Sequence, residues 1–174
     1  MKDALLAERC RRLRLVLSDV DGVMTDGSVY VLGDGREAKA FHIRDGLGIV
    51  MAHRAGLKTG VLSGRRSDAT TQRTTELGMA IVRQGVADKG QALREICDEL
   101  GLSPAEVAYI GDDVNDLPVI DAVGLSAAPA DAPLEVRGRA FMIMEAPGGR
   151  GCLREFLEAI LRARGDWDRV TAGA

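Results

Sequence analysis

Leu13-Arg14-Leu15-Val16-Leu17-Ser18-Asp19-Val20-Asp21-Gly22 is the stretch on which the fold turns. Its short, largely apolar first half predicts a buried strand over 13–17. The strand runs into two carboxylates, Asp19 and Asp21, and then a glycine. A strand that ends in acids puts negative charge at the carboxyl edge of a sheet, where open α/β sheets bind ligands. Asp-x-Asp-Gly alone is often just a solvated turn. Here the arrangement returns: the apolar run 107–110 leads into Gly111-Asp112-Asp113-Val114-Asn115-Asp116.

Outward from that stretch, strands and helices alternate. Residues 3–12 read as an amphipathic helix entering the first strand. Extended runs at 28–32 and 36–42 flank Gly33-Asp34-Gly35, a hairpin signal, so a hairpin over about 28–42 stands above the sheet edge. Arg44-Asp45-Gly46-Leu47-Gly48 opens a helix that runs to about residue 55 and stops at Gly56. Then come a strand at 58–62, the turn Ser63-Gly64-Arg65-Arg66, a helix at 67–77, a strand at 79–82 and a helix at 88–100. Ser103-Pro104-Ala105-Glu106 has a capping-box pattern before the strand 107–110. A helix at 113–122, strands at 123–127 and 141–144 with a short helix between them, and a last helix follow. That last helix is marked by the stripe Leu153, Phe156, Leu157, Ile160 and Leu161. The pattern predicts a doubly wound, mostly parallel, Rossmann-like α/β sheet with helices on both faces. It reads as a single domain over 1–174 with a loose tail over 165–174.

Composition narrows the function. The chain has 174 residues, a formal net charge of −3 and 3% aromatic residues. That balance argues against nucleic acid as a partner. No apolar run reaches membrane-spanning length, and the charged N-terminus lacks a signal-peptide core, which predicts a cytoplasmic protein. Cys10, Cys97 and Cys152 are odd in number and widely spaced, matching neither a disulfide framework nor a zinc site; Cys97 falls on the apolar face of its helix.

Functional groups fall at four strand ends: Asp19 and Asp21; Ser63; Lys89 at a helix start; and Asp112, Asp113 and Asp116. In a doubly wound sheet these ends share one edge. Crowded carboxylates repel unless neutralised, and an oxygen-only donor set suits a hard divalent ion, Mg²⁺ best of all. A carboxylate on a metal, beside a hydroxyl and an ammonium, suits phosphoryl transfer. Lys89, Ser63 and the N–H of Gly64 would bind the phosphoryl oxygens. Asp19 would attack phosphorus, and Asp21 would protonate the leaving oxygen and later activate water.

These elements, in this order, resemble the haloacid dehalogenase superfamily of phosphatases. The resemblance implies Asp19 as nucleophile, Asp21 as acid/base, and Mg²⁺ held by Asp19, the Asp21 carbonyl and Asp112, with Asp116 and Asp113 behind them. Nearly the whole chain, through Thr25-Asp26-Gly27, Lys39-Ala40-Phe41, Arg44-Asp45-Gly46-Leu47-Gly48-Ile49, Ser63-Gly64-Arg65, Gln84-Gly85, Asp88-Lys89 and Gly148-Gly149-Arg150-Gly151 with Arg154-Glu155, resembles the phosphatases of 3-deoxy-D-manno-octulosonate 8-phosphate. Those act on an eight-carbon acid sugar on the way to lipopolysaccharide. This narrower likeness implies no large cap domain, a homotetramer with the hairpins at its centre, and a site lined by a neighbour. It also implies substrate contacts at Asp21, His42, Ile43, Arg44, Asp45, Gly46, Arg65 and Arg73. The substrate carboxylate needs a cation, for which Arg65 and Arg44 are the candidates. One departure is Val50, where many family members carry a basic residue.

Plainer readings stand beside these. Arg65-Arg66 also reads as a solvated helix start, Asp113 as a helix cap, His53 as a helix-surface residue, and Lys89 as an ordinary helix-start lysine. Cations are disfavoured at helix N-termini, however, so Lys89 has a local reason to be there. Rival functions are a nine-carbon sugar-acid phosphatase, a receiver-type phospho-acceptor module, and an oligomerisation domain without activity.

Overall fold

The structure, a computed structural model, describes residues 2–172. Strand β1, Leu15–Ser18, is buried along its whole length. It lies between β4, Lys58–Ser63, and β6, Val107–Ile110, parallel to both, with Ser18 level with Val61 and Ile110. Beyond β4 lies β5, Ile81–Gln84; beyond β6 lie β7, Leu125–Ala128, and β8, Met142–Ile143. The chain winds outward from β1 to β5 on one side, then restarts at β6 and winds outward on the other. The reversal falls between β1 and β6, and the crevice it opens at their carboxyl ends is where Asp19 and Asp112 emerge.

Side chains alternate across the sheet and build two cores. Val16, Val61, Ala108 and Ile110 face one way, toward helices α1 (Lys2–Arg12), α2 (Ile43–Arg54) and α7 (Cys152–Arg164). Leu15, Leu17, Leu62, Val107 and Tyr109 face the other, toward α4 (Lys89–Leu100) and α5 (Leu117–Ile120). The five-residue stripe of α7 is buried throughout, and Cys97 lies in the second core at 3% exposure. Two shorter helices are α3 (Asp68–Glu76) and α6 (Leu134–Arg139).

The hairpin is the only insertion between β1 and α2, but its strands are shorter than the sequence suggested. β2 is Tyr30–Val31 and β3 is Glu37–Ala38. Beyond Ala38 the chain leaves the ladder and the Lys39 side chain turns inward. Its apolar residues Val29, Tyr30, Val31 and Leu32 lie exposed.

Three expectations need correction. The helix expected over 113–122 is a 3₁₀ turn, Val114–Asp116, followed by the short α5, because the Asp116 carboxylate folds back onto the N–H groups of Asp112 and Asp113. The tail expected to be loose carries α8, Trp167–Thr171. Asp166 receives Arg164 and Arg169 at 2.8 and 2.7 Å, Trp167 stacks under the Arg162 guanidinium at 4.1 Å, and Val170 is buried. Residues 173 and 174 lie outside the described residues. His53 is half-buried and sits 2.7 Å from the Thr59 hydroxyl, and burial lowers its pKa.

Candidate active site

Asp19 is the first residue past β1. Its N–H donates to the Ile110 carbonyl at 2.9 Å, fastening the end of β1 to β6, and its Oδ1 accepts from Val20 N at 2.6 Å. The loop then doubles back through Gly22, whose φ of +89° suits only glycine. A Cβ there would strike Asp112 Oδ2, and a Cβ on Gly148 would strike the Gly22 carbonyl. The glycine-rich segment before α7 is thus packed against the back of this loop.

Beneath the two acids lies a saturated support. Asp116 is fully buried. It accepts from Lys89 Nζ and from Tyr109 OH, each at 2.5 Å, and from the N–H groups of Asp112 and Asp113 at 2.9 and 3.1 Å. Lys89, the first residue of α4, spans to Asp19 Oδ2 at 2.9 Å. Burial alone would pull the Lys89 ammonium down, but Asp19 and Asp116 outweigh it and its pKa is raised. Burial, reinforced by Asp116, pushes Tyr109 well above the ordinary phenol range.

The acids themselves are strained electrostatically. Burial lifts Asp19 to about 6 despite Lys89. Burial, with Asp19 and Asp116 adding to it, lifts Asp112 to about 8. Asp112 Oδ1 is buried without a hydrogen-bond partner, and Asp19, Asp112 and Asp116 each offer an oxygen within 4.8 Å of the others. These features fit a divalent cation bound through oxygen. Asp116 already receives four donors, so Asp19 and Asp112 have the free lone pairs.

A cavity of about 170 Å³ opens over this cluster, lined by Asp19, Asp21, Ser63, Gly64, Arg65, Asp112, Asp113 and Asn115. The strand ends thus bring together the acids, the hydroxyl at the end of β4, and Arg65. Asp113 also caps the turn it opens, accepting from Val114 N at 2.7 Å.

The other substrate candidates lie elsewhere. Arg44 lines a separate cavity with Arg150, Arg154 and Arg162. Ile43 is 80% exposed. His42 Nδ1 is buried without a partner beside Gly151. Asp45 is turned inward: its Oδ1 accepts from Arg154 N at 2.7 Å in the first turn of α7, and burial raises its pKa to about 6. Arg73 packs over Gly46 and pairs with Glu76 at 2.9 Å.

Three residues were missed. Lys39 grips both oxygens of Asp21, at 2.6 and 2.9 Å. Glu37, Lys39 and Phe41 are the covered positions while Ala38 and Ala40 are exposed; that period-2 alternation was the available signal. Tyr109 stood in a fully buried strand, where a phenol needs a partner. Asn115 carried no distinguishing pattern.

A family model described as haloacid dehalogenase-like hydrolase matches residues 58–149. The 3-deoxy-D-manno-octulosonate 8-phosphate phosphatase of Salmonella typhi is 38% identical over 162 residues, 93% of this chain and 86% of that protein. A probable YrbI family phosphatase from Pseudomonas syringae superposes with a TM-score of 0.94 at 42% identity, covering 97% of this chain and 96% of the other. The 3-deoxy-D-manno-octulosonate 8-phosphate phosphatase of Moraxella catarrhalis, solved with a magnesium ion, a phosphate ion and a KDO molecule, superposes with a TM-score of 0.94 at 32% identity, over 97% of each chain.

Proposed function

The chain belongs to the haloacid dehalogenase-like hydrolases and is a phosphoric monoester hydrolase; we propose that it hydrolyses 3-deoxy-D-manno-octulosonate 8-phosphate to the free sugar acid and phosphate, through a phosphoryl group carried on Asp19. The observation that supports this most is the meeting of Asp19, Asp112 and Lys89 at one sheet edge, with Asp21, Ser63 and Gly64 around the same cavity.

Asp19, Asp112 and the Asp21 carbonyl would hold Mg²⁺, which when bound supplies a Lewis acid that offsets charge on the phosphoryl oxygens. Asp19 attacks phosphorus as the bond to the sugar oxygen breaks, and Asp21 gives that oxygen its proton. Asp21 then takes a proton from the water that attacks the aspartyl phosphate, which releases inorganic phosphate and restores Asp19. Lys89, Ser63 and the Gly64 N–H hold the phosphoryl oxygens, with Lys89 braced by Asp116. Arg65 meets the sugar carboxylate.

His42, Ile43, Arg44, Asp45, Gly46 and Arg73 are absent from the acid cavity of their own chain. In a homotetramer with the hairpins at its centre the exposed members of this set, Ile43 and Arg44, serve a neighbour's site, and the exposed hairpin residues Val29 to Leu32 are covered. The whole chain forms one hydrolase domain that works in the cytoplasm on a lipopolysaccharide precursor. Three free buried cysteines suit a reducing compartment, and among the described residues no helix is long and apolar enough to cross a membrane.

The test is a panel of eight- and nine-carbon sugar-acid phosphates and neutral hexose phosphates with Mg²⁺, run on the protein and on Asp19→Asn. The eight-carbon acid is expected to turn over best, and Asp19→Asn to lose at least ~10³-fold in kcat. Equal turnover of hexose phosphates removes the carboxylate argument. Preference for the nine-carbon acid moves the substrate, and a stable phosphoprotein without turnover favours a receiver-type module.

A further inference from the structure

The partner of Asp21 is not needed by the reaction as written. Lys39 comes from the hairpin, its side chain is fully enclosed, and its ammonium lies within hydrogen-bond distance of both Asp21 oxygens. Asp21 Oδ2 is 3.8 Å from Arg65 Nε, Arg65 lies 3.0 Å from Glu37 Oε2, and Glu37 Oε1 is 3.9 Å from Lys39 Nζ. Four charges of alternating sign therefore close a ring. Two come from the hairpin, one from the loop after β1 and one from the turn after β4.

The contacts of the ring are unequal. The one between Lys39 and Asp21 is short, double and enclosed. The one between Arg65 and Asp21 is long, and the Arg65 side chain is 54% exposed, where ion pairs are weak. Arg65 can leave the ring for a ligand carboxylate while Asp21 stays held. Of the side chains that contact the Asp21 carboxylate, only Lys39 reaches both oxygens within hydrogen-bond distance. An ammonium on both oxygens fixes the orientation of the carboxylate.

We propose that Lys39 is a positioning residue, which fixes the carboxylate of Asp21 for proton transfer and so makes the hairpin part of the catalytic apparatus. The proposal rests on the reading of Asp21 as the acid/base. A general acid misplaced by about 1 Å costs up to ~10²-fold in rate.

The experiment measures kcat and KM for Lys39→Met and Lys39→Arg in the wild-type background, and for Lys39→Met on Asp21→Asn, whose residual turnover is read at high enzyme concentration. Unfolding midpoint and oligomeric size are followed for each. Lys39→Met is expected to lower kcat roughly 10- to 100-fold with KM within about threefold, and Lys39→Arg to recover most of the loss. On Asp21→Asn the same change is expected to cost less than about threefold more, because its route to the reaction is already gone. A full repeat of the loss on Asp21→Asn overturns the proposal. So does an unchanged kcat with an altered midpoint or oligomer, which marks Lys39 as a structural clip. Full activity in Asp21→Asn alone sinks the acid/base reading instead, which keeps the two failures apart.

Discussion

Lys89 and Lys39 each hold an aspartate of the loop after β1, and they are supported in opposite ways. Lys89 starts a twelve-residue helix and is 2% exposed. Its second partner, Asp116, is itself held by Tyr109 and two backbone N–H groups. Lys89 and Tyr109 are carried by α4 and β6, Asp19 follows directly on β1, and Asp116 lies in the 3₁₀ turn close behind β6. Lys39 follows a strand of two residues, and its ring reaches Arg65 and Glu37 at the surface. The cluster under Asp19 is over-determined, so removing one member leaves buried charge without a partner. The ring around Asp21 is tight at Lys39 and slack at Arg65, which suits a fixed acid/base beside a guanidinium that must let go.

The largest effect is therefore expected at Lys89. Lys89→Met leaves Asp19 and Asp116 facing each other in a buried site, where removing one partner of a buried pair costs about 3–5 kcal/mol. Chemical denaturation without Mg²⁺ measures this, with a loss of at least ~10³-fold in kcat/KM beside it. Lys39→Met is expected to cost only about 1 kcal/mol, since the Asp21 side chain is 19% exposed and keeps contact with water. Equal losses at the two lysines erase the distinction.

The same contrast explains what the sequence could tell. The strand-end cluster was legible because each acid follows directly on an apolar run, so one topological rule brings Asp19 and Asp112 together. Lys89 was legible because a cation at a helix start needs a reason. The ring was not. Lys39 and Asp21 are 18 residues apart across the hairpin, and the alternation over 37–41 tells which side chains share a face but not that this face turns onto Asp21. Asp45 was read as a substrate contact from its triplet with Arg44 and Gly46, yet the structure turns it onto the N-terminus of α7, a helix more than a hundred residues on. Helix α8 escaped because its support is tertiary: Trp167 depends on two arginines of α7.

An intermediate effect separates the two charge sets by pH. Asp112 is lifted from 3.8 to about 8, so the metal-free folded state keeps a proton there that the unfolded chain releases near 4. Between those values the folded state binds more protons, and its stability falls as pH rises through the window. Mg²⁺ binds the carboxylate and must displace that proton below pH 8. Calorimetric titration is expected to show affinity tightening up to about tenfold per pH unit from 6 to 7 and levelling above 8, with close to one proton released at pH 7. It follows that Mg²⁺ raises the unfolding midpoint more at pH 8 than at pH 6. An affinity independent of pH means that Asp112 is already charged before the ion arrives, and that the strand-end acids are no more crowded than those of the ring.

The smallest effect probes the slack directly. Glu37, itself half-buried, holds the exposed Arg65 at 3.0 Å, and pairs with an exposed partner contribute about 0–1 kcal/mol. If Arg65 must give up Glu37 to grip a sugar carboxylate, Glu37 competes with the substrate. Glu37→Gln is then expected to lower KM for the acid-sugar phosphate about two- to threefold, with kcat and the KM for a neutral phosphate ester unchanged. The opposite sign is equally readable. A KM that rises for the acid sugar alone means that Glu37 presents Arg65 to the ligand instead of withholding it. The ring is then as fixed as the cluster beneath Asp19, and its half-exposed arginine owes its place to the hairpin.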